Sequence, residues 1–341
     1  MTADTVLVTG ASGFIAGYCM VELLRAGYRV RGTLRSLERA DEVRKSVGQA
    51  IDPEDRLSFV AADLLNDGGW PEAMQGCRYA LHVASPISAT LPRDSDQLVI
   101  AARDGTLRVM RAASQAGLRR VVQTSSVAAI CYGRDETAGH VFTEADWTDP
   151  DHHDNSAYTR SKAVAERAAW DRLSKIGPEL EWTAINPGLV LGPLLCADTS
   201  PSIELVHKCM AGDLPGWPRL GYPIVDVRDI ARIHVLAMTA SGAPGQRFIA
   251  AGRFFWVADV VKVLREHFPA FRRRLPKFGL PDPLVRIAAW FDPVVKGQVY
   301  ELGKRRDVSA AKAKQVLGWT GRPEEESIIA TAESLVRLGL I

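Results

Sequence analysis

Six short runs rich in β-branched residues recur through the first half of the chain, each followed by a longer stretch of helical character. They read TVLVTG (5–10), YRVRGTL (28–34), RLSFVAAD (56–63), YALHVAS (79–85), RRVVQTSS (119–126) and EWTAINPG (181–188). Strands separated by helices cannot pair as hairpins, so this order predicts βαβ units: a doubly wound α/β fold with a parallel sheet covered on both faces. Ligands in such sheets bind beyond the carboxyl ends of the strands. There the runs end in small or polar residues: Gly10, Thr33, Asp63, Ser85, Ser126 and Asn186. That edge is the expected site.

After Gly188 the pattern changes. Pro193, Pro201, Pro215, Pro218 and Pro223 interrupt any long element, which predicts the start of a substrate lobe. The stretches 224–240 and 245–252 read as a helix and a strand returning to the main sheet, and further helices follow from about Trp256. The expected division is a dinucleotide-binding domain over 1–188, rejoined by 224–252, and a smaller substrate-binding lobe from 189–223 and 253–341.

Composition closes off several classes. With 341 residues, 47% apolar and 24% charged, the chain is long enough for a large core plus a lobe and ordinary for a soluble protein. A net charge of +2 argues for neither nucleic acid nor membrane as partner. The five cysteines form no CxxC pair and predict neither a disulfide framework nor a metal site. No secretory pattern precedes the first strand and no apolar run is long enough to span a bilayer, so a cytoplasmic, reducing setting is expected. A small-molecule substrate and a monomer or homodimer complete the expectation.

The segment VLVTGASGFIAGY places Gly10 and Gly13 between a strand and an apolar helix. Gly10 allows the tight turn, Gly13 lets a pyrophosphate approach the backbone, and the helix N-terminus supplies free N–H groups and positive partial charge. Ala16 provides the small third position for close packing of helix on sheet. The next strand ends VRGTLRSLER, with Thr33 where an acid would hold the ribose hydroxyls of NAD, then Arg35 and Arg39. A carboxylate there would repel a 2′-phosphate and a guanidinium binds one, so NADPH (NADP+) is the predicted cofactor.

SAYTRSK (156–162) opens a helical stretch rich in alanine and places Tyr158 and Lys162 one turn apart on one face. A phenol beside an ammonium is a proton donor, because a nearby positive charge favours the phenolate.

Together these segments, with AADL, HVASP, TSSVA, NPGLVLGP and IVDVRDIARIHVLAM, resemble the extended short-chain dehydrogenase/reductase family. The likeness covers nearly the whole length and is strongest to the branch of dihydroflavonol reductases, cinnamoyl-CoA reductases and aldehyde or methylglyoxal reductases. The resemblance implies a catalytic triad of Ser126, Tyr158 and Lys162, with Ser125 as the alternative serine. It further implies cofactor contacts from Gly10, Ser12, Gly13, Phe14 and Ile15 at the turn, Arg35 and Arg39 at the phosphate, and Asp63 and Leu64 at the adenine. Val83, Ala84, Ser85 and Pro187, with Tyr158 and Lys162, would lie on the ribose and nicotinamide side. The implied activity is NADPH-dependent reduction of an aldehyde or ketone, aromatic or flavonoid-like.

The stretch before the tyrosine reads DNSAY and departs from the NWYCY-type signature of cinnamoyl-CoA reductases, which argues against a CoA thioester. Trp217 and Tyr222 in LPGWPRLGYPI fit an apolar pocket and core packing equally well. Competing readings are a nucleotide-sugar epimerase, dehydratase or hydroxysteroid dehydrogenase on the same fold, and a dinucleotide-sensing regulator without catalysis. Arg35 in place of an acid speaks against the epimerase, and a complete set of proton-handling residues against the regulator.

Overall fold

The computed structural model describes residues 4–86, 95–134, 139–176, 179–197, 200–291 and 293–341. Its first half alternates as expected: β1 (Thr5–Val8), α1 (Phe14–Arg25), β2 (Arg29–Leu34), α2 (Ala40–Gly48), β3 (Leu57–Ala61), α3 (Trp70–Met74), β4 (Cys77–His82), α4 (Ser95–Gln115), β5 (Arg120–Thr124), the short β6 (Val141–Phe142), α5 (Ala157–Ile176) and β7 (Glu181–Pro187). There follow β8 (Leu189–Leu191), α6 (Glu204–Ala211), β9 (Gly221–Asp226), α7 (Val227–Thr239), β10 (Arg247–Ala250), β11 (Phe254–Trp256) and α8 (Val257–His267). The chain ends with α9 (Asp282–Ala288), α10 (Pro293–Lys296), β12 (Asp307–Val308), α11 (Ala311–Leu317) and α12 (Glu324–Arg337).

Seven strands form one parallel sheet in the order β10-β7-β5-β4-β1-β2-β3. The strand order reverses at β1, so the turn after β1 and the end of β4 flank the crevice where such sheets bind ligands. Alternation of side chains along β1 divides the core: Val6 and Val8 join the cluster that includes α1 and α7, while Leu7 joins the cluster under α3 and α4. All three are fully buried, a position worth roughly 1.5–3 kcal/mol for each such side chain.

A second sheet, β11-β9-β8, belongs to a separate apolar cluster with α6, α8 and α12. Residues 224–226 therefore lie in this smaller sheet, whereas α7 packs on α1 and β10 pairs with β7 of the main sheet. Trp217 packs against the second cluster and exchanges backbone hydrogen bonds with Phe278 and Leu280, and the Tyr222 hydroxyl donates to Gln298 Oε1 at 3.1 Å. Among the described residues, no helix is long and apolar enough to cross a membrane.

Candidate active site

The turn between β1 and α1 is built around two glycines with different duties. Gly10 has φ +69, in the left-handed region, and its N–H donates to Thr33 Oγ1 at 3.0 Å, tying the turn to the end of β2. A Cβ on Gly10 would stand 3.0 Å from Ala84 Cβ. Gly13 caps α1 with φ −82 and ψ 155, and a Cβ there would meet only Gly10 O, at 3.2 Å. Phe14 and Ile15 pack their side chains on the core, Ala16 is fully buried, and the first turn of α1 leaves backbone N–H groups without an intrahelical partner. A cleft lies in front of this turn, lined by Ser12, Gly13, Phe14, Arg39 and Glu42 among others.

Arg35 is exposed at the end of β2. Arg39 forms a two-pronged pair with Glu42, at 3.0 and 3.1 Å, and holds that carboxyl below its ordinary range. At the end of β3, Asp63 Oδ1 accepts from Leu65 N–H at 3.0 Å, while the Leu64 side chain is buried against Gly105. Beyond β4, the Ala84 N–H donates to Thr9 Oγ1 at 2.9 Å, and the same oxygen lies 3.0 Å from His82 Nδ1. His82 is held neutral. Burial first, then the charge of Lys162, push its pKa down to about 3.

Helix α5 starts where Ser156 Oγ accepts from Thr159 N–H at 3.1 Å, a serine cap at the N-terminal end. Tyr158 therefore sits in the first turn, 40% exposed at the sheet's carboxyl edge, and Lys162 lies one turn deeper, buried. The Lys162 ammonium is 5.8 Å from the Tyr158 ring centroid and donates to Ser85 Oγ at 3.2 Å. The structure thus joins the tyrosine helix to the end of β4, beside the glycine turn.

The two serines after β5 differ in what they do with their protons. Ser125 donates its hydroxyl proton to the buried carboxylate of Glu166. Ser126 Oγ accepts from Ala128 N–H at 3.1 Å, capping the short turn Val127–Ala129, and that bond does not use its proton.

Comparison with known proteins identifies the family of the chain. The profile of the NAD dependent epimerase/dehydratase family matches residues 6–251. The chain belongs to the NAD dependent epimerase/dehydratase family. Within this family it is similar to cinnamoyl-CoA reductase 1 of Petunia hybrida, 36% identical over 273 residues that cover 80% of this chain and 79% of that protein. Similarity to cinnamoyl-CoA reductase CAD2 of Medicago truncatula runs over 339 residues at 33% identity, 97% of this chain and 95% of that one. Among solved structures, the yeast methylglyoxal/isovaleraldehyde reductase Gre2 complexed with NADPH superposes with a TM-score of 0.81 at 28% identity, covering 99% of this chain and 100% of that one. Membership of the epimerase/dehydratase family and the sheet order agree with the resemblance read from the sequence.

Sequence reading missed two buried residues behind this edge, Glu166 and Arg247. Glu166, fully buried on the same face as Tyr158 and Lys162, accepts from Ser125, Asn186, Arg247 and Trp170. A charged residue four positions after Lys162 on a face expected to be buried was the available signal. Its partner Arg247 lies 81 positions away, and nothing local announces that pairing.

Proposed function

We propose that this chain is an NADPH-dependent carbonyl reductase acting on an aldehyde or ketone, with Ser126, Tyr158 and Lys162 as its catalytic residues. The observation that carries the reading is the placement of Lys162: its ammonium lies under Tyr158 and is bonded to Ser85, one residue beyond the Ala84 that closes on Gly10. Proton donor and glycine turn thereby share one edge of the sheet.

The groups that would hold the cofactor fit it. Gly10, Ser12 and Gly13, with the N–H groups of Phe14 and Ile15, form a cradle for a pyrophosphate, and the φ of −82 at Gly13 is one that any residue adopts, so backbone conformation does not demand glycine there. Arg35 and Arg39 supply guanidinium groups for a 2′-phosphate, Asp63 and Leu64 border the adenine, and Val83, Ala84, Ser85 and Pro187 line the nicotinamide side. NADPH, when bound, supplies the hydride.

The protein's own residues handle the charge that grows on the substrate oxygen. Ser126 donates a hydrogen bond to that oxygen with the proton it keeps, and Tyr158 donates both a hydrogen bond and then the proton itself. Lys162 stabilises the negative charge left on the phenol oxygen and uses its further donors to hold the ribose. Similarity to Gre2 and to the cinnamoyl-CoA reductases supports reduction as the reaction class. The stretch DNSAY, which ends on Tyr158, favours a free aldehyde or ketone over a CoA thioester.

NADPH oxidation at 340 nm against aldehydes, ketones, dihydroflavonols, ketosteroids, a hydroxycinnamoyl-CoA ester and a nucleotide sugar tests this. One NADPH consumed per alcohol formed is expected for an aldehyde or ketone. Conversion of a nucleotide sugar with no net NADPH consumption would replace the reading by the epimerase one.

A further inference from the structure

The buried face of α5 carries a charge that the proposed chemistry does not use. Glu166 lies one turn beyond Lys162 and is fully buried, a position in which an unpaired carboxylate would be strongly unfavourable. Four donors converge on it. Oε1 accepts from Arg247 Nε at 2.6 Å and from Trp170 Nε1 at 3.2 Å. Oε2 accepts from Asn186 Nδ2 at 2.8 Å and from the Ser125 hydroxyl.

Three of the four partners, Ser125, Asn186 and Arg247, lead back to the reaction edge. Asn186 Nδ2 also donates to the Ser126 carbonyl at 3.1 Å, so the residue before Ser126 and the backbone of Ser126 are both fastened to this one carboxylate. Arg247, on β10 with its guanidinium carbon 3.5 Å from the Trp147 ring centroid, donates to the carbonyls of Ala129 (3.3 Å), Glu144 (3.0 Å) and Asp146 (2.9 Å). Ala129 closes the turn that Ser126 caps, and residues 144–147 belong to the connection leading into α5. The ion pair therefore links the helix that holds Tyr158 and Lys162 to both sides of Ser126 and to the strand end before Pro187. Apolar side chains would fill such a site with comparable stability, but they would not fix directions; five or more charge-assisted bonds do.

We infer that Glu166 and Arg247 are positioning residues, which set the Ser126 hydroxyl at its working distance from the Tyr158 hydroxyl. The inference rests on the reading of Ser126 as the donor to the substrate oxygen. Glu166→Gln keeps the shape but turns one acceptor into a donor facing Arg247 or Asn186, so the serine turn is displaced.

The test is a double-mutant cycle on the full chain with Ser126→Ala, Glu166→Gln and both together, followed by kcat and by NADPH titration. Misplacement by about 1 Å costs roughly 100-fold, so Glu166→Gln is expected to lower kcat by about 10- to 100-fold while NADPH affinity stays within about two-fold. In the Ser126→Ala background the same change is expected to add nothing, because there is no serine left to place. Arg247→Lys, which keeps the charge and loses the fork, runs in the same cycle and remains informative if Glu166→Gln folds poorly. Losses that multiply, or wild-type kcat in both Glu166→Gln and Arg247→Lys, overturn the positioning role alone. Wild-type kcat in Ser126→Ala overturns the serine assignment itself and the positioning role with it.

Discussion

Gly10 and Gly13 stand three residues apart in one turn, yet replacing each by alanine should damage different properties. At Gly10 the backbone has φ +69, where an L-residue costs about 1–2 kcal/mol, and the new methyl would press on Ala84 Cβ at 3.0 Å and Cα at 3.1 Å. Ala84 cannot withdraw freely, since its N–H is held by Thr9 at 2.9 Å. Strain and overpacking together give a loss of about 2–5 kcal/mol for Gly10→Ala. An unfolding entropy of about 2.1 cal/mol/K per residue over 341 residues converts this into a fall in Tm of about 3–7 °C. Gly13→Ala escapes the first penalty and meets less of the second: its φ of −82 suits alanine, and the one near atom, Gly10 O at 3.2 Å, has to give by a few tenths of an ångström. Its Tm without cofactor should stay within about 1 °C of wild type, since the slight crowding is offset by the stiffer unfolded chain. The methyl instead crowds the cofactor's pyrophosphate, and overpacking of about 1–3 kcal/mol there weakens NADPH binding by roughly 5- to 150-fold. Calorimetry of the apo-proteins and titration with NADPH by fluorescence separate the two. Wild-type affinity in Gly13→Ala, or a Tm loss equal to that of Gly10→Ala, would refute the assignment of Gly13 to the ligand.

Three other outcomes are expected. Replacing Arg35 and Arg39 together by alanine should lower kcat/KM for NADPH by about 10- to 100-fold, the scale of one or two lost charge-assisted hydrogen bonds, with NADH little changed; a wild-type preference for NADH in steady-state kinetics would contradict the cofactor reading. Glu42→Gln weakens the two-pronged hold on Arg39 and removes a negative charge from the cleft, so affinity for NADPH should rise modestly and that for NADH should not. Stability should fall as pH drops from about 6.5 to 5, because burial depresses His82 to about 3 and His234 to about 4, so the unfolded chain takes up protons that the native one refuses. Each histidine contributes a slope of up to about 1.4 kcal/mol per pH unit in that window and none above it. Urea midpoints at pH 7.5, 6 and 5 check the trend, and a flat profile would contradict it.

What could be read from the sequence was local. The strand ends, the Gly10–Gly13–Ala16 turn and the one-turn spacing of Tyr158 and Lys162 depend on residues a few positions apart, and the parallel sheet follows from their alternation. Residues 224–226 read as part of a segment returning to the main sheet but lie in the smaller one, because pairing of β9 with β8 and β11 is a tertiary choice that short apolar runs do not announce. The contacts that hold the site together were equally hidden: Lys162 reaches Ser85 across 77 positions, and Glu166 reaches Arg247 across 81. A composition of ordinary charge gave no hint that one carboxylate on α5 is wholly enclosed.

The central claim is that Tyr158 delivers the proton. Tyr158→Phe keeps the ring over Lys162 and removes only the hydroxyl, so NADPH should bind as tightly as before while turnover of the best carbonyl substrate falls by about 100-fold or more. Near-normal turnover in that variant would contradict the account.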